Sequence, residues 1–310
     1  MKKSVAIFVW MVMFCIQGFS QQDPIFTQYM TNKMPINPAY TGSTEALSLD
    51  LIDRFQWVGI KDGPNTINFT ANCNLPNDHL GIGLFSYRDA LGPTEETGLM
   101  GSFAYRILFP TGKLCFGLQF GFTYLNINWD KLDPETSSDP LLNNQVKQRA
   151  TPDAGFGLYY YTDRFYVGVS STHLMENKIV VAKNASSDHT SFSRLMRHFY
   201  GMAGTSIPTS DNFLIRPDLL LKYAENSKLQ ADISCNFLIN KVFWIGIGYR
   251  TENCLFMMAE VVVAKNLHIG YSFDAWVNQL VSYNKGSHEV RIGFDIDAFK
   301  TKRMPETRIF

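Results

Sequence analysis

Ile67-Asn68-Phe69-Thr70-Ala71-Asn72-Cys73-Asn74-Leu75 alternates apolar and polar residues without a break. Successive side chains on a strand point to opposite faces, so this stretch reads as a strand with one greasy face and one wet face. Two more stretches repeat the pattern. Leu114, Phe116, Leu118, Phe120 and Phe122 interleave with Cys115, Gly117, Gln119, Gly121 and Thr123. Val290, Ile292, Phe294 and Ile296 interleave with Glu289, Arg291, Gly293 and Asp295. About fourteen such runs fit between Glu45 and Ala298, most near the nine to eleven residues that cross an outer membrane obliquely.

Alternation would also fit a large soluble β-sandwich, and the connections separate the two. Links after the even-numbered runs are short and turn-like: Pro76-Asn77-Asp78, Phe109-Pro110-Thr111-Gly112, Thr162-Asp163, Pro208-Thr209-Ser210-Asp211, Asn240-Lys241 and Ala264-Lys265-Asn266. The long links, roughly 127 to 150, 174 to 195 and 277 to 287, all fall on the opposite parity. A sandwich has no reason to sort its loops this way. A closed antiparallel transmembrane β-barrel does, keeping short turns in the periplasm and longer loops outside, and it places both termini on the periplasmic side.

Composition agrees with an all-β barrel. Charged residues are 18% of the chain and aromatics 14%, against about 25% charged in ordinary globular proteins. Beyond the first twenty residues there is no apolar run near the roughly eighteen that a spanning helix needs. Residues 1–20 carry Lys2 and Lys3, an apolar run from Val5 to Ile16, and Gly18-Phe19-Ser20, which reads as a signal peptide cut before Gln21. Val12-Met13-Phe14 ahead of Cys15 lacks the small residues of a lipobox. Net charge is zero, with 28 basic and 28 acidic residues, and removing the two leader lysines leaves about −2, so no nucleic-acid partner is implied. Cys73, Cys115, Cys235 and Cys254 lie at no metal-ligand spacing and read as isolated strand residues.

The wet faces carry Asp50, Arg54, Arg106, Arg216, Asp218, Lys222, Asp232, Glu260, Asp274, Glu289, Arg291, Asp295 and Asp297. Basic residues at mid-membrane facing lipid would cost about 2 to 4 kcal/mol each, so these face the lumen. Arg54, Arg106, Arg216, Asp218, Asp232, Glu260, Asp274, Glu289 and Arg291 are the candidate ion-pair network. Their mixed signs predict a filled interior more than a wide single-sign pore, with a narrow selective channel still open. Asp53 falls on an apolar register and Pro217 interrupts a strand, which predicts a bulge or an interfacial position at each.

Residues 21–44 neither alternate nor show a helical period, and hold Pro24, Pro35 and Pro38. Ile25, Phe26, Tyr29, Met30, Met34, Ile36 and Tyr40 make the segment too apolar for a floppy leader, so it docks as a plug or on the periplasmic mouth, with Asp23, Pro24, Phe26, Tyr29, Met30, Asn37, Pro38 and Tyr40 as the candidate docking residues. The barrel then spans 45–298, with 299–310 as a periplasmic tail. Trp129, Asp130, Leu141 and Leu142 in the first long loop are the candidate cargo-facing residues, since loops carry recognition while the scaffold holds them.

No catalytic, cofactor or metal site emerges. His79, His173, His189, His198, His268 and His288 stand outside the His-x-Ser-Asn-Gly setting of barrel phospholipases, no Gly-x-Ser-x-Gly elbow occurs, and each reads as bonded to strand or loop neighbours. Asp130, Asp133, Glu135 and Asp139 lack EF-hand spacing and its glycine, and read as a solvated loop. Gly81-Ile82-Gly83 and Gly246-Ile247-Gly248 sit inside strands, where they serve curvature or tight lumen packing.

Gln22-Asp23-Pro24-Ile25-Phe26-Thr27-Gln28-Tyr29-Met30 followed by Asn37-Pro38-Ala39-Tyr40-Thr41-Gly42 closely resembles the opening of the PorP/SprF family of type IX secretion membrane proteins from Bacteroidetes. Arg54-Phe55-Gln56-Trp57-Val58-Gly59 with Gly63-Pro64-Asn65-Thr66, then Gly168-Val169-Ser170-Ser171-Thr172-His173-Leu174, Gly270-Tyr271-Ser272-Phe273-Asp274 and Gly286-Ser287-His288-Glu289-Val290 continue the likeness in order. Phe273, where the family pattern has tyrosine, is a small departure. The resemblance implies an outer-membrane barrel of the secretion and gliding machinery, with no catalytic residues to carry over. It implies as partners a secreted, adhesin-like cargo with a C-terminal sorting domain, periplasmic ring or peptidoglycan-linked secretion components, and outer-membrane lipid. Two other readings stand beside it: a channel for an apolar or small solute, and a purely architectural barrel.

Overall fold

The computed structural model describes residues 23–297 except 25, 45, 77, 129–130, 132–149, 184–189, 226, 252, 265 and 278, and gives backbone alone for 178–183, 190–194 and 279–280. The strands in chain order are β1 (Leu47–Phe55), β2 (Asn65–Asn74), β3 (Leu80–Leu91), β4 (Thr94–Phe109), β5 (Gly112–Ile127), β6 (Ala150–Tyr161), β7 (Phe165–Thr172), β8 (Lys178–Lys183) and β9 (Thr190–Arg194). They continue with β10 (His198–Thr205), β11 (Ile207–Ser210), β12 (Phe213–Ala224), β13 (Gln230–Ile239), β14 (Phe243–Arg250), β15 (Cys254–Val263), β16 (Leu267–Trp276) and β17 (Ser287–Ile296).

Sequence neighbours pair antiparallel around the sheet, β1 closes on β17, and β10 pairs with both β7 and β12. The result is a closed 14-strand antiparallel barrel. β11 extends the line of β10 along β12, and β8 with β9 forms a separate hairpin. Closure gives each of the fourteen wall strands a partner on both sides among the described residues, which a strand-built membrane protein requires.

Burial runs opposite to that of a soluble protein. On β17, Glu289 and Arg291 are 0% exposed while Val290 and Ile292 are 44% and 47% exposed. On β5, Phe120 and Phe122 are each 58% exposed beside buried Gln119 and Thr123. Greasy faces therefore point outward and charged faces inward, as a lipid solvent demands.

The short links gather at one end: 75–79, 110–111, 162–164, 211–212, 240–242 and 264–266. Asn240 and Lys241 both take positive φ, matching the twist of the flanking strands. The long links 128–149, 173–197 and 277–286 lie at the other end, joined there by 56–64 and the tight Gly92-Pro93.

Three details depart from the sequence reading, and one expected irregularity is resolved. The turn placed at 208–211 sits at 211–212, because Pro208 belongs to β11. Pro217 makes no bulge in its own strand, where Pro217 pairs with Cys235 in an unbroken register. The break falls on the neighbour: pairing stops at Gly204 with Asp218 and resumes at Ile207 with Ile215, opposite the proline that has no N–H to give. Asp53 takes the second of its two expected placements: unbulged, it lies near the long-loop end of β1, where Asn65 Nδ2 donates to its Oδ1 at 3.0 Å. Asp297 lies past β17 and is exposed.

Candidate functional site

Residues 26–44 run inside the barrel. Tyr29, Met30, Met34, Ile36, Ala39 and Tyr40 share one buried cluster with inner-face Phe85, Met100, Tyr159 and Met202. Local chemistry shapes the middle of this segment. Pro38–Tyr40 forms a 3-10 turn whose first residue is a proline, and Asn37 Oδ1 accepts from Ala39 N at 2.9 Å to cap it. Asn37 Nδ2 then donates to Leu158 O at 3.0 Å, fastening the turn to β6. Glycines on the inner face make room: a Cβ on Gly157 would stand 2.0 Å from Asn37 Oδ1, and one on Gly117 2.1 Å from Ala39 N.

The segment crosses the whole lumen. At the short-turn end, Arg106 donates to the carbonyls of Gly42 and Thr41, to Asn74 Oδ1 at 2.9 Å and to Asp78 O at 3.1 Å. Higher up, Thr27 N and Gln28 N donate to the two oxygens of Glu289 at 2.8 and 2.9 Å, and Thr27 Oγ1 donates to Asp274 Oδ1 at 2.7 Å. Asp23 reaches the opposite mouth, beside Thr172 and His173 at the end of β7 and His198 at the start of β10. β17 ends on the short-turn side as the sequence reading has it, but the described start of the chain lies at the long-loop side. Threading through the lumen is what a strand-period reading cannot register.

Buried ion pairs surround the segment. Arg54 bonds Asp274 at 2.6 Å and Glu289 at 3.1 Å; Arg250 bonds Asp232 at 2.9 Å and reaches Asp274 at 3.3 Å. A second group joins Arg291 to Glu260 at 2.6 Å and to Asp50, with His268 bridging Glu260 at 3.0 Å and Asp295 at 3.2 Å. Arg216 pairs with Asp218 at 3.0 Å and stacks over Trp244. Of the nine sequence-selected charges, eight thus enter ion pairs, whereas Arg106 holds backbone and amide oxygens instead. Arg250 was missed, although it shares the inner register of β14 with Trp244 and Gly246. Lys33 was missed as well: it is 0% exposed, donates to Met30 O at 2.9 Å, and lies over the Tyr166 ring at 4.5 Å.

At the long-loop mouth, Asp23 Oδ1 meets His173 Nε2 at 2.7 Å, and His173 Nδ1 meets Asp153 Oδ2 at 2.6 Å. Tyr200 Oη donates to Asp23 Oδ2 at 2.7 Å, and Lys222 Nζ to Asp23 O at 3.0 Å. Burial opposes the imidazolium, yet the carboxylates of Asp23 and Asp153 hold His173 well above the ordinary histidine value. Burial would likewise raise Asp23, but His198, His173 and Lys222 hold its carboxyl well below the usual range. Among the described residues, Asp23, His173 and His198 bring ligand-type atoms within 4.8 Å of one another. Both ring nitrogens of His173 already face carboxylates, so the arrangement is that of an ion-pair latch. The latch pairs residues some 150 apart in sequence, which left it invisible to motif reading.

Beside the latch, a small cavity opens between the segment and β3 to β7, lined mainly by apolar side chains. Cys73, Cys115, Cys235 and Cys254 are free thiols. Trp129, Asp130, Leu141 and Leu142 lie outside the described residues, as do the leader 1–20, the tail 299–310 and the acidic stretch 133–139.

An interior segment opening on Asp23-Pro24, seated in a closed barrel, matches a known sequence family. The family described as type IX secretion system membrane protein PorP/SprF matches residues 18–294. The chain belongs to that family. No curated protein matches it. Among solved structures, the CymD monoaromatic hydrocarbon channel is similar at a TM-score of 0.51 and 11% identity, covering 92% of this chain and 96% of that one. The toluene transporter TbuX of Ralstonia pickettii has a TM-score of 0.49 at 13% identity, covering 85% and 92%. Omp33 of Acinetobacter baumannii has 0.46 at 7% identity, covering 82% and 100%. At such identities the CymD likeness speaks to fold alone. The barrel and the family together place this PorP/SprF protein in the outer membrane.

Proposed function

We propose that this PorP/SprF barrel helps the type IX secretion and gliding machinery deliver a cargo bearing a C-terminal sorting domain, and holds that adhesin-like cargo at the cell surface. One observation carries the reading beyond family membership: residues 26–44 and the buried ion pairs occupy the lumen. A barrel so filled has no room for a polypeptide in transit, so it acts through its mouths. Cargo docks on the outer links 128–149 and 173–197, where Trp129, Asp130, Leu141 and Leu142 belong. The periplasmic side meets ring or peptidoglycan-linked components, the leader 1–20 is removed near Ser20, and 21–44 serves as a plug. The barrel needs no cofactor and catalyses no reaction for this role.

The test is an affinity pull-down of the tagged barrel from detergent-solubilised outer membranes of its native host, read by mass spectrometry. Recovery of a large surface protein ending in a sorting domain supports the reading; a clean barrel overturns it. The cavity near Asp23 favours one second reading, a gated channel for a small apolar solute. Swelling of liposomes that contain the purified barrel separates the two.

A further inference from the structure

The hairpin of β8 and β9 is fastened at its base and open along its sides. Asn177 Nδ2 donates to Pro152 O at 2.6 Å and Leu174 N to Ala154 O at 2.9 Å, tying this link to β6. Among the described residues, neither strand of the hairpin has a second neighbour in its sheet. A two-stranded ribbon is marginal in water, and an open edge presents a row of N–H and C=O groups that a further strand completes. The two edges differ. β8 carries lysine at both ends, Lys178 and Lys183, and its register shifts between Val180 and Ala182. Lysines and bulges blunt an edge against pairing. β9 pairs residue by residue from Arg194 to Thr190 and contains neither lysine nor proline.

The base of the hairpin sets which main-chain groups face outward. Leu195 N donates to Asn177 O at 3.1 Å, towards β8. Direction alternates along an antiparallel strand, so Ser193 and Ser191 also turn their N–H to β8, while Arg194 and Phe192 turn theirs to the open side. Charge adds a second constraint. Lys178 stands directly opposite Arg194, and neither strand contains an aspartate or glutamate. Like charges placed opposite one another destabilise a sheet, and an acidic residue on an added strand relieves them.

We propose that the open edge of β9 takes up an extended segment of the secreted cargo as a third strand, through main-chain bonds to Phe192 and Arg194, with an acidic cargo residue beside Arg194. Main-chain bonds supply the affinity in such strand addition, and the charge supplies selection. This capture rests on the docking of cargo at the outer links, and adds the edge, the mode of pairing and the sign of the partner's charge.

The tagged barrel and three variants are recovered from outer membranes of the native host, and the cargo that accompanies each is quantified by mass spectrometry. Heat-modifiable mobility verifies that each barrel is folded. Phe192→Pro removes an outward N–H and leaves the ladder to β8 intact, as proline does on an edge strand. Its cargo recovery is expected to fall about five-fold, for the loss of one hydrogen bond, while Phe192→Leu retains the wild-type level. Arg194→Glu sets an acid opposite Lys178, which favours the hairpin itself, yet it repels the acidic partner and is expected to lower recovery as well. Edge capture is overturned, with cargo docking left standing, by full recovery in Phe192→Pro, by an equal loss in Phe192→Leu, or by undiminished recovery in Arg194→Glu. A wild-type barrel that brings no cargo overturns the docking and the capture together. Dimers of the purified wild-type barrel that Phe192→Pro dissociates would make a second copy of this chain the occupant, and overturn the cargo assignment.

Discussion

Asp23 Oδ1 lies 2.7 Å from His173 Nε2, so a carboxylate at the start of the inserted segment closes an ion pair with the residue that follows β7. Asp153 completes a carboxylate–imidazole–carboxylate array on the other ring nitrogen. The array predicts a pH dependence with a definite sign. Because the folded value of His173 is raised, its contribution is fully present below the unfolded histidine value of about 6.5 and is lost as pH climbs through the folded value. Because that of Asp23 is lowered, its contribution is present above about 3.9 and is lost as pH falls through the depressed folded value. The latch is therefore closed between the two. Proteolysis of the segment in intact barrels should accelerate as pH rises above the neutral range, and His173→Gln should be equally fast throughout. A His173→Gln profile as steep as wild type would refute the assignment.

The lumen glycines give a second expectation. Gly157→Val sets side-chain atoms where Asn37 Oδ1 now stands, and the nearest relief is withdrawal of the 3-10 turn from β6. Such a barrel should still insert, since β6 keeps its pairing, but single-channel recordings should show an open lumen where wild type is closed. Gly101→Val is the control: a Cβ there meets its nearest neighbour at 3.8 Å, and conductance should stay at the wild-type level.

Ion pairs of different burial should differ in cost. Removing Arg54 takes the ion-pair partner from Glu289 and leaves Asp274 with Arg250 alone, both carboxylates being 0% exposed, and breaking a buried pair in this way costs about 3 to 5 kcal/mol. Arg88 and Glu95 pair at 2.7 Å with side chains 46% and 37% exposed, so Arg88→Ala should cost roughly 0.2 to 1 kcal/mol. Urea unfolding in lipid vesicles measures both; equal losses would mean that the lumen is wetter than its packing indicates.

The strands were legible in the sequence because lipid forces a strict period of two. Ile67 to Leu75 and Val290 to Ile296 could carry their alternation only with one face in each medium. The charges of the inner face were legible for the same reason, down to Arg54, Asp274 and Glu289. What stayed hidden depends on the third dimension. The Asp23 latch joins His173 and Asp153 from links and strands whose proximity only barrel closure creates. Arg106 looked like one more network charge, yet it serves the carbonyls of the inserted segment, a partner that alternation does not reveal. Pro217 was visible as an irregularity, but the missing N–H is felt in the neighbouring strand, so the break appears between β10 and β11.

The hairpin of β8 and β9 supplies the last expectation. It stands outside the barrel ladder, in the longest described link of the long-loop mouth, and its base is closed by Leu195 N donating to Asn177 O at 3.1 Å. The barrel wall nearby is secured without it: β7 pairs directly with β10 from Thr172 with His198 to Phe165 with Thr205. Replacing 178–194 with a short glycine-serine linker should therefore leave insertion and heat resistance unchanged. If cargo docks on the outer links, the same deletion should cut surface retention of the sorting-domain protein several-fold, and deletion of 132–149 together with it should abolish retention. Undiminished surface cargo in the double deletion, with the barrel still folded, would move the docking site off these links.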